Sequence, residues 1–132
     1  MTLGFVLMWM LFMHIVDDYY LQGILAKMKQ KSWWKENAPQ DMYKNDYLVA
    51  LIMHAISWAF CIMLPLAIYL QFQINLVFGI CFAINILIHS LVDNMKANRK
   101  TINLVQDQTC HLLQIWFTFI VVLYPFNWII VS

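Results

Sequence analysis

Charged residues are scarce in this sequence. They make up 11% of its 132 residues, against about 25% in typical globular proteins, and 63% of the residues are hydrophobic. The hydrophobic residues fall into four long blocks, which predict helices at about 3–27, 45–70, 74–97 and 103–130. Each block reaches the ~20 residues that an α-helix needs to cross ~30 Å of hydrocarbon. The composition therefore argues against a soluble domain and predicts an all-α integral membrane protein with a single transmembrane domain over residues 1–132.

Cysteines are also few, and no two of them have the CxxC spacing of a redox or zinc motif. Cys61, Cys81 and Cys110 all fall inside hydrophobic blocks. Such isolated cysteines are typical of small buried side chains. We predict neither a disulfide nor a thiolate metal site.

Basic residues are missing from the N-terminus, from the short connection "QFQIN" and from the C-terminus. All of them flank or lie in the first and third connections: Lys27, Lys29, Lys31, Lys35, Lys44, Lys96, Arg99 and Lys100. Because Lys and Arg near helix ends favour the cytoplasmic side, the pattern predicts an up-down-up-down four-helix bundle with both termini non-cytoplasmic. The expected location is the inner (cytoplasmic) membrane, as a multi-pass protein.

The first connection, at about 28–44, combines lysines with aromatic residues. Trp33, Trp34 and Tyr43 lie beside Lys31, Lys35 and Lys44. Aromatic rings and ammonium groups are both stable in the headgroup region, so we expect this cytoplasmic loop to lie on the membrane surface. The basic run is too short to favour nucleic acid as a partner.

Polar residues inside the hydrophobic blocks follow a regular pattern. Each predicted helix carries one histidine, at a depth of about 10 to 20 Å from the nearest cytoplasmic basic residue at 1.5 Å per residue; they are His14, His54, His89 and His111. Three of them have an aspartate four residues away, on the same helix face; these are Asp18, Asp93 and Asp107. We expect the polar faces to meet at one buried site.

Ionisable groups at such depth cost about 2.5 to 3.5 kcal/mol each, so a countercharge is needed. The seven His and Asp residues suit a divalent transition metal, with Zn²⁺ the first choice and room for two ions bridged by a carboxylate. A metal-free proton relay and a purely structural polar network remain alternatives. Asp17, about 100° around the helix from Asp18, is a candidate general base. Three further residues are candidates for binding substrate: Gln22, Lys96 and Gln108.

Three segments of the sequence resemble a known family. "HIVDDYYLQ", "HSLVDNMK" and "DQTCH" are similar to the HxxxDxxLQ, HxxxDxxK and DQxxH motifs of small bacterial and phage membrane proteins that share a domain of unknown function. In this register, Asp18 rather than Asp17 matches the first aspartate, and Lys96 matches the lysine. The resemblance implies a four-helix membrane fold with a shared polar site, and it implies no particular reaction. A remoter similarity is to small inner-membrane proteins described as metal-dependent hydrolases.

These observations favour a metal-dependent hydrolase acting on a lipid-like substrate at the cytoplasmic leaflet, because a metal site with an open position activates water even in a dry pocket. Two other classes remain open. One is a non-enzymatic, oligomeric membrane protein that conducts protons or cations or senses ions. The other is a phage-type membrane effector that binds a host membrane protein through Trp33 and Trp34.

Overall fold

The computed structural model describes residues 1–131, with side chains through Tyr124. Its α-helices are α1 (Leu3–Val16), α2 (Leu25–Met28), α3 (Lys31–Asn37), α4 (Asp46–Tyr69), α5 (Leu76–Asn94) and α6 (Leu104–Val131). The described residues contain no β-strand. The prediction of an all-α fold is confirmed.

The four long helices pack around one centre. Helix α1 lies against α4 and α6, and α5 also lies against α4 and α6. The connection between α4 and α5 spans only residues 70–75, and it reverses the chain with positive φ angles at Gln71 (51°) and Phe72 (60°). Asn75 then caps α5 by accepting a hydrogen bond from the backbone N–H of Phe78 at 2.9 Å. This short connection keeps α4 and α5 side by side.

Two of the long helices end in a wide π-helical turn. One turn spans Asp17–Leu21 after α1, and the other spans Met95–Arg99 after α5. A π turn contains more residues than an α turn, so it shifts the direction of the side chains that follow and is common at functional sites. The first of these turns buries both Asp17 and Asp18, at 0% and 8% exposure. As the α-helical spacing predicted, the two carboxylates point to neighbouring sectors: Asp17 Oδ2 faces His54 Nδ1, whereas Asp18 Oδ1 faces His54 Nε2.

The connection predicted at about 28–44 contains short helices. After α3, the segment Asp41–Tyr43 forms a 3₁₀ turn. The rings of Trp34 and Tyr43 stack at 6.3 Å, and the Lys31 ammonium lies 4.7 Å from the centre of the Tyr47 ring on α4. Aromatic contacts thus fold this connection back onto the start of α4.

The interior of the helices divides into two halves. Near the ends joined by residues 17–45 and 95–103, buried polar side chains fill the centre. The other half is a core of apolar side chains, which includes Val6, Met10, Ile62, Leu66, Phe78, Ile115 and Val122. The two halves are called the polar half and the apolar half below.

In the described part of the chain, two helical stretches are long and apolar enough to cross a membrane. They are Asp41–Tyr69 and Leu76–Arg99. The sequence predicted four spans, whereas α1 has only 14 residues before the π turn, fewer than the ~20 of a typical span. Two of the four predicted spans therefore meet the requirement of length and composition.

Candidate metal centre

The polar half contains all the residues predicted as ligands together with the predicted general base. Each is at most 8% exposed: His14, Asp17, Asp18, His54, His89, Asp93, Asp107 and His111. They come from the end of α1 and its π turn, the start of α4, the end of α5 and the start of α6. Because α1 meets α4 and α6 while α5 meets the same two helices, these four helix ends converge.

One group that could hold a metal ion consists of Asp18, His54 and His89, whose ligand atoms all lie within 4.8 Å of one another. The Nε2 atom of His54 lies 3.2 Å from Asp18 Oδ1 and 3.2 Å from His89 Nε2. The Asp18 Oδ1 atom is also 3.8 Å from His89 Nε2. Two imidazole nitrogens and a carboxylate oxygen thus face a common point.

A second group shares His89 and adds Asp93 and His111. The two carboxylate oxygens of Asp93 point to different imidazoles: Oδ2 lies 3.5 Å from His54 Nε2, and Oδ1 lies 3.5 Å from His111 Nε2. Asp107 Oδ1 is also 3.5 Å from the same nitrogen, so two carboxylates face His111 Nε2. Asp93 therefore lies between His54 of the first group and His111 of the second.

Several buried atoms of this centre have no hydrogen-bond partner. They include Nε2 of His111 and Oδ1 of Asp107, although only 3.5 Å separates these two atoms. Buried polar atoms in proteins are nearly always satisfied, and such exceptions need an explanation. Imidazole nitrogens and carboxylate oxygens are the donors that Zn²⁺ and related ions prefer, so the residues present fit a divalent transition metal.

Two lysines contact the carboxylates of the centre. Lys29, which follows α2, donates a hydrogen bond to Asp93 Oδ2 at 2.6 Å, and Lys96, in the second π turn, donates one to Asp107 Oδ2 at 2.6 Å. With all four carboxylates ionised and the imidazoles neutral, two ammonium groups leave two negative charges uncompensated. That residual charge equals the charge of one divalent cation.

His14 lies beside the two metal-binding groups and belongs to neither. Its Nδ1 atom accepts a hydrogen bond from Trp58 Nε1 at 2.9 Å, and its Nε2 atom lies 3.1 Å from Gln108 Oε1. An indole N–H can only donate, so Nδ1 must be the acceptor and Nε2 carries the hydrogen that Gln108 receives. Both ring nitrogens of His14 are thus engaged with protein groups, whereas the sequence pattern predicted a metal ligand.

Trp58, like Lys29, is a residue of this centre that the sequence prediction missed. It is fully buried, and its ring stacks on that of His89 with 4.2 Å between centroids. It lies four residues after His54, on the helix face that already carried the predicted polar stripe. That spacing was the available signal for its position.

Asp17 contacts His54 on the side of the ring that faces away from the other candidate ligands. Its Oδ2 atom is 3.5 Å from His54 Nδ1, the ring nitrogen opposite to the one that faces Asp18. Its Oδ1 atom accepts hydrogen bonds from Ser57 Oγ at 2.5 Å and Cys61 Sγ at 3.6 Å. Neither Asp17 Oδ2 nor His54 Nδ1 has a hydrogen-bond partner, and the position is the one from which carboxylates orient metal-ligating imidazoles.

The three predicted substrate-binding residues occupy different places. Gln22 donates its side-chain hydrogen bond to the backbone carbonyl of Asp18, within the first π turn. Gln108 donates to Asp107 Oδ2 at 3.0 Å and to Asp18 Oδ2 at 3.5 Å, so it joins α6 to α1. Lys96 is 38% exposed and lies at the rim of the centre.

A chain of hydrogen bonds leads from His111 toward the apolar half and ends at Thr118. The His111 Nδ1 atom lies 3.3 Å from Gln114 Oε1, and Gln114 donates to the backbone carbonyl and side-chain oxygen of Asn85 at 3.3 Å. Asn85 in turn donates to Thr118 Oγ1 at 2.7 Å. Beyond Thr118 the neighbouring buried side chains belong to the apolar core.

Comparison with protein-family models, curated proteins and solved structures finds no match to this chain. The resemblance to the HxxxDxxLQ family therefore stays a prediction. The fold and the site together define an all-helical protein with a buried His/Asp centre that could hold a metal ion.

Proposed function

We propose that the protein is a membrane-embedded, metal-dependent hydrolase that acts on a lipid-like substrate from the cytoplasmic leaflet. The observation that carries the proposal is the convergence of two overlapping His/Asp groups, each with ligand atoms within 4.8 Å, in a buried centre. Structural polar networks satisfy their own hydrogen bonds, whereas this one leaves ligand atoms without partners. Such a centre is suited to binding an ion and to chemistry.

The outer surface of the helices supports a membrane location for all four long helices. Each of them exposes large apolar side chains, for example Phe12 at 59%, Phe60 at 58%, Leu87 at 60% and Phe117 at 62%. Soluble monomers rarely expose large contiguous apolar patches, whereas lipid tails accept them. With the lysines of the first and third connections on the cytoplasmic side, the polar half faces the cytoplasmic leaflet of the inner membrane.

In this proposal the ion is Zn²⁺ or a similar divalent cation, held by Asp18, His54, His89, Asp93 and His111. When bound, such an ion supplies a Lewis acid and makes water a stronger nucleophile near neutral pH. Asp17 faces the other ring nitrogen of His54, Nδ1, from which it orients the imidazole, and Gln114 takes the corresponding place at Nδ1 of His111. Asp107 lies beside the same nitrogen of His111 as Asp93 does and is a further candidate ligand. Lys96, half exposed at the rim, offers a cation to an anionic headgroup.

The main alternative, ion conduction, is less well supported for a single chain. A conducting path needs polar groups or water along its whole length. Here the hydrogen-bonded network ends at Thr118, and the side chains beyond it, such as Val6, Met10 and Ile62, are buried and apolar. This arrangement favours a closed site that opens toward one leaflet.

The test is elemental analysis of the detergent-purified protein, combined with mass spectrometry of a phospholipid extract incubated with it. We expect about one or two equivalents of a transition metal per chain and loss of both metal and lipid turnover in His89→Ala. The neighbouring variant Ile88→Ala, on the exposed face of the same helix, is the matched control and should keep both. Protein without stoichiometric metal, or turnover that survives in His89→Ala, would refute the proposal.

A further inference from the structure

A cleft of about 620 Å³ lies between α1 with its π turn and α6. Its apolar walls are Leu11 and Ile15 of α1 and Leu112 of α6. Ile15 and Leu112 are 48% and 46% exposed, so the cleft opens sideways on the outer surface of the helices. Its volume lies within the range of about 300–1,000 Å³ that is usual for small-molecule sites.

The remaining lining residues are arranged by polarity. Tyr19 and Tyr20 are 56% and 77% exposed and form the rim, whereas His14 is only 3% exposed and forms the bottom together with Gln108. Tyrosines at the edge of an apolar surface are typical of the membrane–water interface. The cleft therefore combines an aromatic rim at headgroup level, apolar walls and a polar bottom.

The bottom of the cleft adjoins the metal centre through hydrogen bonds. His14 donates its Nε2–H to Gln108 Oε1, and Gln108 donates to the carboxylates of Asp107 and Asp18. Because Trp58 occupies Nδ1 of His14, the imidazole presents one fixed donor, its Nε2–H. An oxygen atom of a ligand in the cleft can compete with Gln108 for that hydrogen.

We propose that this cleft is a lateral binding site for a membrane amphiphile, and that His14 donates a hydrogen bond to the ligand instead of binding the metal. The ligand chemistry is a hydrocarbon chain joined to an oxygen acceptor, as in a carboxylic ester or a phosphate ester. The chain lies against Leu11, Ile15 and Leu112, and the oxygen meets His14 Nε2–H beside the metal centre. The inference rests on the proposed function and assigns the substrate class and its route of entry.

The test uses photo-crosslinking in phosphatidylcholine vesicles that contain the full chain. Three probes with the same diazirine-labelled hydrocarbon chain are compared: a monoacylglycerol, a lysophosphatidate and a plain alkane. The internal control is a groove of about 340 Å³ between α4 and α5, lined by residues that include Ile52 and Leu87. Adducts are mapped to the cleft or to the control groove by mass spectrometry.

We expect at least one oxygen-bearing probe to label the cleft about fivefold more than the alkane does, the advantage of one net hydrogen bond. The probe that is enriched identifies a neutral ester or a phosphate as the ligand. Leu112→Trp should fill the cleft and abolish the enrichment, whereas Leu87→Trp, a matched change in the control groove, should leave it intact. Equal labelling of the two grooves, or equal labelling by the alkane, would overturn the proposal.

Two variants of His14 separate this inference from the function on which it rests. His14→Gln keeps an N–H donor and should keep the enrichment, whereas His14→Phe should lose it. Both variants should retain the metal content of the wild-type protein, and loss of metal from both would show that His14 is a ligand and overturn its assignment here. If the wild-type protein holds no metal, the proposed function fails while the crosslinking result still decides the cleft.

Discussion

The polar half and the apolar half are built on the same four long helices, but their side chains make different kinds of contact. In the polar half, four carboxylates and four imidazoles meet within hydrogen-bonding and ligand distances, and two lysines contact the carboxylates. In the apolar half, side chains such as Ile62, Leu66 and Val122 only pack against one another. The apolar half fixes the positions of the helices, and the polar half uses those positions to hold groups that are costly to bury.

The two halves also differ in what replaces a lost side chain. An apolar gap can be filled by relaxation of the neighbouring side chains or by a lipid tail, so its cost is limited. A buried ionised group that loses its partner in the polar half is left with an uncompensated charge, which costs more. We therefore expect substitutions in the polar half to have the larger effects and to change metal content as well as stability.

The largest effect is expected for Asp93→Ala. This change removes the carboxylate that contacts three imidazoles and leaves the Lys29 ammonium, whose side chain is only 15% exposed, without its partner. Breaking one side of a buried ion pair costs about 3–5 kcal/mol. Equilibrium unfolding in detergent should show that loss, and elemental analysis should show loss of metal.

The matched control for that prediction is Asp41→Ala, an aspartate in the exposed 3₁₀ turn of the first connection. Its stability should stay within about 0.5 kcal/mol of the wild type, with metal content unchanged. If Asp93→Ala behaves like Asp41→Ala, the distinction between the two halves fails.

A smaller effect is expected in the apolar half for Leu66→Ala. Leu66 is fully buried, so the substitution leaves a cavity. The cost should be about 2 kcal/mol, the low end of values for buried leucines, because lipid tails are as apolar as the leucine side chain. Unfolding should be easier while metal content is unchanged, and Leu87→Ala, 60% exposed, should change neither. Loss of metal from Leu66→Ala would mean that the two halves are not separable.

The smallest effect is expected at the boundary, for Trp58→Phe. This variant keeps most of the ring packing on His89 and removes the hydrogen bond to His14 Nδ1. Leaving one buried acceptor unsatisfied should cost about 1 kcal/mol in the free energy of unfolding. The control Trp116→Phe changes an indole that is 53% exposed and should be neutral by the same unfolding assay. A neutral Trp58→Phe would show that the indole serves packing alone.

Much of this architecture could be predicted from periodicity, because an i, i+4 spacing on a helix is a local property. The His–Asp pairs of α1, α5 and α6 follow directly from it, and one histidine per helix indicated that the four helices share a site. The structure brings Asp18, His54, His89, Asp93 and His111 together in two groups that could hold a metal ion. The metal itself and the reaction stay predictions.

Other features depend on contacts that are distant in sequence. The hydrogen bond from Lys29 to Asp93 depends on how α2 packs against the long helices, and helical periodicity does not predict that packing. The partners of Asp17 are Ser57 and Cys61 on α4 and the Nδ1 atom of His54, contacts that depend on how α1 packs against α4. His14 was predicted as a ligand from its spacing to Asp18, and that role stays a prediction. The hydrogen bond that its Nδ1 atom accepts from the indole of Trp58 comes from another helix, so the spacing does not encode it.

The contact between Lys29 and Asp93 also has a consequence for how the chain is made. The two residues are 64 positions apart, and the lysine comes first. During synthesis the lysine is therefore already part of the chain when α5, the helix that carries Asp93, is made. The carboxylate can meet its cation as soon as α5 takes its place beside α4, before α6 and its own histidine are complete.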